Sequence, residues 1–259
     1  MSAPRERHVV ITGASSGIGA ALARAFAGTG AGLTLVARRR ERLLALADEV
    51  DARCHVVVAD LAEPARAADW LPEARGALGP IDVLVNNAGV QIIGRTHEVD
   101  VELGERSLSL NLATPLRLMH AVLPEMLERG GGTLVNIASV AALAPTPGMT
   151  WYNAGKAGLS AASEALRGEL RGTGVEVLTV YPGIISDTAM GEHGLQRYRG
   201  GLAVRSQPRG SAARLAEVVV AAVEASRPRV IWPHLNVLAR HFPATTRWLM
   251  DRLTPPPEA

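Results

Sequence analysis

Short runs of β-branched apolar residues alternate with longer stretches of helical periodicity along almost the whole chain. This alternation is typical of repeated βαβ units, because parallel strands are joined by crossover helices. The seven predicted strands are His8–Thr12, Gly32–Val36, Cys54–Ala59, Ile81–Val85, Thr133–Ala138, Val175–Val180 and Arg229–Trp232. The predicted helices are Gly17–Gly28, Arg39–Val50, Pro64–Ala77, Asp100–Arg129, Trp151–Arg171 and Ser211–Ser226. The pattern therefore predicts an α/β fold, a doubly wound parallel sheet with helices on both faces.

Two segments do not follow this alternation. Ser186–Gly210 is rich in Gly and Arg and follows the sixth strand, where we expect a substrate lid. The tail Pro233–Arg252 mixes apolar with basic residues, which predicts a helix that packs on the domain or on a partner subunit. Attachment to a membrane surface is the less favoured alternative. No composition break indicates a second domain, so we divide the chain into one domain, residues 1–232, and a C-terminal extension, residues 233–259.

Composition narrows the class of protein. The 259 residues are 47% hydrophobic and 20% charged, which is typical of a globular domain with a full core. Because the net charge is only +2, the basic residues are scattered and aromatics make up 3%, we expect no nucleic-acid binding. The single cysteine, Cys54, excludes an internal disulfide and a multi-cysteine site, and we predict no metal. No apolar run approaches the ~18 residues of a membrane span, so a cytoplasmic protein is expected.

The segment after the first strand has the composition of a phosphate-binding turn. Thr12-Gly13-Ala14-Ser15-Ser16-Gly17-Ile18-Gly19 joins this strand to the next helix. Glycines permit a tight turn and the close approach of a pyrophosphate, whose charge meets free N–H groups at the helix N-terminus. The predicted cofactor contacts are Gly13, Ser15, Ser16, Gly17, Ile18 and Gly19.

The second strand ends in a basic sequence, Ala37-Arg38-Arg39-Arg40. An acidic residue at this position would accept hydrogen bonds from the ribose hydroxyls of NAD(H) and repel a 2′-phosphate. Its absence favours NADP(H), with Arg38 contacting the phosphate and Arg39 assisting. The alternative is a solvated basic helix start, although cations at a helix N-terminus oppose the macrodipole.

Two further strand ends complete the predicted cofactor site. Asp60 follows the third strand and is expected to hydrogen-bond the adenine amino group. The fourth strand runs into Asn86-Asn87-Ala88-Gly89, whose small residues let a ribose lie close to the backbone. Either segment alone is also compatible with an ordinary turn. The predicted contacts here are Asp60, Leu61, Asn87, Ala88 and Gly89.

These motifs resemble the classical short-chain dehydrogenase/reductase family, and the resemblance covers His8 to about Trp232. The shared residues, in the family's order, are Thr12–Gly19, Asp60, Asn86–Gly89, Asn111, Ser139, Tyr152-Asn153-Ala154-Gly155-Lys156 and Pro182-Gly183. The resemblance implies a Rossmann-type catalytic domain that binds NAD(P)(H) and assembles as a homodimer or homotetramer. It implies catalysis by Asn111, Ser139, Tyr152 and Lys156. Cofactor contacts by Tyr152, Lys156, Pro182, Gly183 and the Ile185 backbone are expected as well.

The catalytic chemistry can also be argued from the residues. Tyr152 and Lys156 are four apart and share one helix face, so both side chains can reach one pocket. A nearby ammonium favours the phenolate, which lets a tyrosine exchange a proton with a carbonyl or alcohol oxygen. Lys156 is also the single lysine among 27 Lys and Arg residues. Ser139 would orient the reacting oxygen, and it is no nucleophile because no G-x-S-x-G elbow surrounds it. Asn111 resembles the family's helix-kinking asparagine, whose main-chain carbonyl binds a water that touches Lys156.

Three positions depart from the family pattern. Asp187 stands four residues after Gly183, where a Thr is common, and Thr188 lies one residue later. Gly155 replaces the commoner Ser or Ala, and Trp151 directly precedes Tyr152. We expect the last two to reshape the pocket without removing a catalytic atom.

The leading hypothesis is an NADP(H)-dependent oxidoreductase that interconverts a carbonyl and a secondary alcohol. One alternative is a catalytically silent NADP(H)-binding regulatory or scaffold protein on the same fold. Another is a sugar-nucleotide epimerase or dehydratase, which the short chain after the last strand disfavours. The substrate is expected to be an apolar or amphipathic small molecule. Its predicted wall contains Ile92, Ile93, Leu143, Pro145, Met149, Trp151, Met190, Leu195 and Tyr198.

Overall fold

The alternating pattern forms a parallel sheet in the computed structural model, which describes residues 6–198 and 207–254. The sheet strands are β1 His8–Thr12, β2 Gly32–Ala37, β3 Cys54–Val58, β4 Val83–Asn86, β5 Gly132–Ile137, β6 Val175–Pro182 and β9 Arg229–Trp232. They are ordered β3-β2-β1-β4-β5-β6-β9, and every pairing is parallel. Two short strands, β7 Ile184–Ile185 and β8 Arg209–Gly210, pair separately.

The helices connect these strands and cover both faces of the sheet. The α-helices are α1 Gly17–Ala27, α2 Arg40–Glu49, α3 Leu71–Leu78, α4 Val101–Leu108, α5 Thr114–Arg129, α6 Thr150–Glu169, α7 Ala189–Arg197, α8 Ala212–Glu224, α9 Val237–His241 and α10 Pro243–Leu253. Short 3₁₀ segments occupy Pro64–Arg66, Val140–Ala142 and His234–Asn236, and a π-helix occupies Ser109–Ala113.

The sheet has a hydrophobic core on each of its two faces, as a doubly wound fold requires. Alternate residues of a strand point to opposite faces, so Val9 and Ile11 of β1 pack with α1, α2 and α8. Val10, between them, packs on the other face with α3, α5 and α6. Both faces of β1 are thus buried, which explains why its three central residues, Val9 to Ile11, are all apolar.

The strand order creates a binding crevice at the carboxyl edge of the sheet. From β1 the chain moves outward to β2 and β3, then returns to place β4 on the other side of β1. The loops after β1 and β4 therefore separate above the sheet, and ligands of doubly wound folds bind at such a switch point.

Two predicted helices are interrupted. The expected helix Pro64–Ala77 is a 3₁₀ turn followed by α3, and Pro72 lies in the first turn of α3, where a missing N–H costs nothing. The expected helix Asp100–Arg129 is α4 and α5 joined by the π-helix. Ser186–Gly210, the segment outside the alternating pattern where a lid is expected, contains α7 and β8, while its residues 199–206 lie outside the described residues.

The extension folds back on its own domain. It forms two short helices, α9 and α10, where one was expected. Ala239 and Met250 pack with Ala144, and Arg240 Nη1 lies 3.1 Å from Glu164 Oε1 on α6. Residues 255–259 of the extension lie outside the described part of the chain. Within that part, no helix is long and apolar enough to cross a bilayer.

Candidate active site

A cavity of about 640 Å³ lies at the carboxyl edge of the sheet. It extends from the end of β2 to the start of α6 and the extension. Of the predicted site residues, those that line it are Gly13, Ser15, Ser16, Gly17, Ile18, Arg38, Arg39, Asp60, Leu61, Asn87, Ala88, Gly89, Ser139, Tyr152, Lys156, Pro182, Gly183 and Ile185. Gly19 and Asn111, the other two predicted site residues, do not line the cavity and lie behind its wall. The fold therefore brings residues from the ends of six strands, β1 to β6, and from helix α6 to one cavity.

The turn after β1 depends on its glycines. Gly13 and Gly17 have φ of 68° and 55°, in the left-handed region that favours glycine. A Cβ at Gly13 would lie 2.9 Å from the Ala88 Cα, so the turn packs directly on the loop after β4. Gly19, also predicted to contact a cofactor, packs on the carbonyl oxygen of Gly13, which any Cβ would overlap. Its role is to let α1 approach the turn.

The basic end of the cavity is held against this turn. Arg39 Nη2 donates hydrogen bonds to Ser15 Oγ and Ser16 Oγ, at 2.8 and 2.7 Å. Partial burial, with the neighbouring Arg42 and Arg38, lowers the pKa of Arg39. These guanidinium groups lie close together at a helix start, and an anion bound there would relieve their repulsion.

Asp60 is the single carboxylate among the cavity-lining residues that the structure describes. Its Oδ1 accepts a hydrogen bond from the Ala62 N–H at 3.0 Å, and its Oδ2 lies 3.1 Å from Arg106 Nη2. The Arg106 charge offsets that of Asp60, and Ala37 lies at the end of β2, so among the described cavity-lining residues no uncompensated carboxylate faces Arg38 or Arg39.

Ser139, Tyr152 and Lys156 come together where β5 and α6 meet. Tyr152 is 6% exposed and Lys156 is 4% exposed. Burial raises the pKa of Tyr152, and a hydrogen bond with Ser139 opposes that rise. Lys156 Nζ donates to the Ile137 carbonyl at 2.8 Å, and burial lowers its pKa to about 8. The result is a buried phenol with a hydroxyl partner and a buried amine on the same helix face.

Asn111 supports this cluster from behind. It is fully buried at the centre of the π-helix, and its Nδ2 donates to the Val90 carbonyl at 2.8 Å. A Cβ at Gly89 would lie 2.7 Å from Asn111 Oδ1 and 3.2 Å from Lys156 Nζ, so both groups converge on this glycine. Gly155 lets α6 approach closely, because a Cβ there would lie 2.9 Å from the Asn111 Cβ.

The structure explains the shifted spacing after β6. The Asp187 carboxylate accepts a hydrogen bond from the Ala212 N–H at 2.9 Å, at the first residue of α8. Thr188 caps α7, its Oγ1 accepting from the Gly191 N–H at 3.1 Å. Thr188 also lines the cavity beside Gly17, where a Cβ would lie 3.3 Å from Thr188 Cγ2. Thr188, one residue further along the chain, thus occupies the position of the common threonine, while the Asp187 side chain hydrogen-bonds to α8.

The predicted substrate wall was partly wrong. Met149, Met190, Leu195 and Tyr198 line the cavity, whereas Ile92, Ile93, Leu143, Pro145 and Trp151 do not. The Trp151 ring packs instead on Gly104 of α4, where any Cβ would overlap it. Ile93 packs behind Met149 and Tyr152 in a buried cluster.

Sequence reasoning missed the contribution of the extension to this wall. The lining residues that it supplies are Leu235, Asn236, Leu238, Ala239, Thr246, Leu249, Met250 and Leu253. Their common property is that most are apolar, and the mixture of apolar and basic residues in the tail was the available signal. The mouth of the cavity is therefore hydrophobic on the side of the extension.

Comparisons with known proteins agree with this architecture. A family model described as short chain dehydrogenase matches residues 7–198. An uncharacterized oxidoreductase of Staphylococcus epidermidis is 35% identical over 192 residues, which are 74% of this chain and 83% of that protein.

Solved structures give the same result. A short-chain dehydrogenase from Streptomyces avermitilis superposes with a TM-score of 0.80 at 28% identity, covering 95% of this chain and 96% of that one. A metagenomic short-chain oxidoreductase in complex with NADP gives a TM-score of 0.72 at 30% identity, covering 89% and 98%. With the family model matching most of the chain, the protein belongs to the short-chain dehydrogenase family of oxidoreductases.

Proposed function

We propose that this protein is an NADP(H)-dependent oxidoreductase that interconverts a carbonyl compound and a secondary alcohol. The observation that carries the proposal is the buried cluster of Ser139, Tyr152 and Lys156 in a cavity whose other end is formed by Arg38 and Arg39. A proton-transfer group and an anion-binding group thus lie in one continuous space. No observation favours a catalytically silent protein.

The residues present fit a dinucleotide. The positive-φ turn and free N–H groups of α1 suit a pyrophosphate, and Ala88 and Gly89 leave room for a ribose. Arg38 and Arg39 would hold the 2′-phosphate, which supports NADP(H) over NAD(H). When bound, the nicotinamide supplies or accepts the hydride. The metagenomic relative was solved with NADP, which is consistent with this assignment.

Tyr152 would act as the acid in reduction and the base in oxidation. Its hydroxyl donates a proton to the carbonyl oxygen or takes one from the alcohol. Burial alone would hold the proton too tightly, since it raises the pKa of this phenol. The Ser139 hydrogen bond lowers this pKa, and a charged Lys156 nearby would act in the same direction. With a pKa of about 8, Lys156 remains mostly charged at neutral pH.

The π-helix supplies a route for proton exchange. Such a turn disturbs the i→i+4 pattern and leaves a main-chain carbonyl free for another partner. The Asn111 carbonyl would bind a water that touches Lys156, so that protons reach Tyr152 from solvent. The buried Asn111 side chain, anchored to the Val90 carbonyl, fixes this geometry.

The substrate would be an apolar or amphipathic carbonyl or alcohol. Met149, Leu195 and Tyr198 line one side of the cavity, and the extension adds Leu238 and Leu249 at its mouth. Burial of such surface stabilises an apolar ligand by roughly 25 cal/mol per Å² before the costs of binding.

The assembly would be a homodimer or homotetramer. Exposed apolar side chains on two neighbouring helices support this part of the proposal, because a second subunit would bury them. They are Val101 and Leu103 on α4, and Leu116 and Leu127 on α5.

A spectrophotometric screen tests the proposed reaction. Oxidation of NADPH is followed with a panel of aldehydes and ketones, and the screen is repeated with NADH. We expect turnover of apolar carbonyls, with NADPH preferred. The opposite result would be tight NADPH binding without turnover of any carbonyl in the panel, and without turnover of the matching alcohols with NADP⁺. That result would support a catalytically silent binding protein.

A further inference from the structure

Gln91 lies on the wall of the cavity, in the loop between β4 and α4. Its amide contacts Met149, the residue immediately before α6, with 3.7 Å between Gln91 Nε2 and Met149 Sδ. Met149 packs in the same apolar cluster as Tyr152. The Gln91 amide is therefore separated from the proposed acid by about one side chain.

The Gln91 amide lacks good hydrogen-bond partners within the described part of the chain. Oε1 is inaccessible to solvent and has no partner there, and Nε2 reaches only a thioether sulfur, a weak acceptor. Exchange of the amide oxygen and nitrogen does not help, because a sulfur is no better a partner for oxygen. The backbone of α7 covers this amide, since a Cβ at Gly194 would lie 3.4 Å from Oε1.

An amide buried without partners is unusual, because more than about 90% of buried polar groups in native proteins are paired. The wall residues that the structure describes around the amide do not supply a partner. Leu195 is apolar, and the Tyr198 hydroxyl donates its proton to the Pro147 carbonyl. A glutamine in this place is costly for folding and therefore suits a ligand that completes its hydrogen bonds.

We propose that Gln91 is a specificity-determining residue whose amide turns from α7 toward the cavity and binds a second polar group of the substrate. The substrate class is then a carbonyl compound, or the matching alcohol, that carries a hydroxyl, oxo or amide group near the reacting carbon. Its apolar remainder would lie against the wall of Leu195 and the extension. This inference rests on the proposed function and narrows its substrate.

The test compares matched substrates in the wild type and in Gln91→Leu, which keeps the size of the side chain but removes the amide. Each pair is a ketone and its hydroxy-ketone of equal chain length, with the hydroxyl two, three or four bonds from the carbonyl carbon. For at least one pair, wild-type kcat/KM should favour the hydroxy-ketone by about 10-fold or more, and Gln91→Leu should reduce that ratio to about 1. Leu195→Met is the matched control, because it changes the same wall without changing hydrogen bonding and should preserve the ratio.

A wild-type ratio near 1 for all pairs, or a preference that survives in Gln91→Leu, would overturn the inference while leaving the oxidoreductase proposal intact. Thermal unfolding gives a second readout that needs no turnover. Since the amide makes no good hydrogen bond with the residues that the structure describes, Gln91→Leu should keep or raise Tm. A clear fall in Tm, larger than that of Leu195→Met, would show that the protein itself satisfies the amide and would also overturn the inference.

Discussion

The proposed preference for NADP(H) should be reversible by substitutions at the end of β2. The double variant Ala37→Asp/Arg38→Ser places a carboxylate where the ribose hydroxyls of NAD(H) would bind and removes one phosphate partner. A charge-assisted contact contributes ~1.5–3 kcal/mol, which is roughly 10- to 150-fold in affinity. Because Arg38 is exposed, screening by solvent places its contribution near the lower end.

Arg39 sets the residual affinity of this variant. Its guanidinium is already held by Ser15 and Ser16, so little side-chain entropy is lost when a phosphate binds. We therefore expect the double variant to bind NADPH about 10-fold more weakly. Adding Arg39→Ser should weaken binding by about another factor of 10.

Dissociation constants of NADPH and NADH, measured by quenching of protein fluorescence or by calorimetry, are the assay. Arg40→Ser is the matched control: Arg40 belongs to the same basic run but does not line the cavity, so NADPH affinity should change less than about twofold. If the wild type binds NADH as tightly as NADPH, or if Arg40→Ser weakens NADPH as much as loss of Arg38, the assigned phosphate site is wrong.

Three further variants test other parts of the account. Lys156→Arg keeps the charge, but the larger planar guanidinium does not fit the buried site beside Ile137. Steady-state turnover should therefore fall strongly. Full activity in this variant would show that the charge alone suffices. Gly104→Ala should lower the free energy of unfolding by ~1–3 kcal/mol in denaturant titration, because the new methyl overlaps Trp151; an unchanged midpoint would contradict that packing. Glu164→Gln should lower Tm at neutral pH, because its partners Arg229 and Arg240 hold its pKa at about 2, below the ordinary 4.5. A depressed carboxyl pKa stabilises the fold above the ordinary value, so the Tm difference should close between about pH 5 and pH 2, and a difference independent of pH would refute this ion pair.

The sheet was predictable from the sequence because its central strands are buried on both faces and contain continuous apolar runs between turn residues. The bounds of β1 and β9 match the predicted ones. Others end differently because their ends depend on neighbouring strands. β6, for example, continues to Pro182, which pairs with Trp232 of β9.

The cavity residues near the strand ends were predictable for the same reason, because parallel strands bring their carboxyl ends to one edge. Residues whose position depends on packing between helices were not. Trp151 was expected near the substrate, but the absence of a side chain at Gly104 provides a site for its ring on α4. The contribution of the extension could not be read from local pattern, because nothing in residues 233–254 specifies which surface they cover.

The most direct test of the central claim separates binding from turnover at Tyr152. Tyr152→Phe keeps the buried ring and removes the hydroxyl that exchanges the proton. We expect an NADPH dissociation constant within a few-fold of the wild type, together with a fall in kcat of about 10² to 10⁴ for the best carbonyl substrate. Near-wild-type kcat in this variant would contradict the account, because the proton would then come from another group.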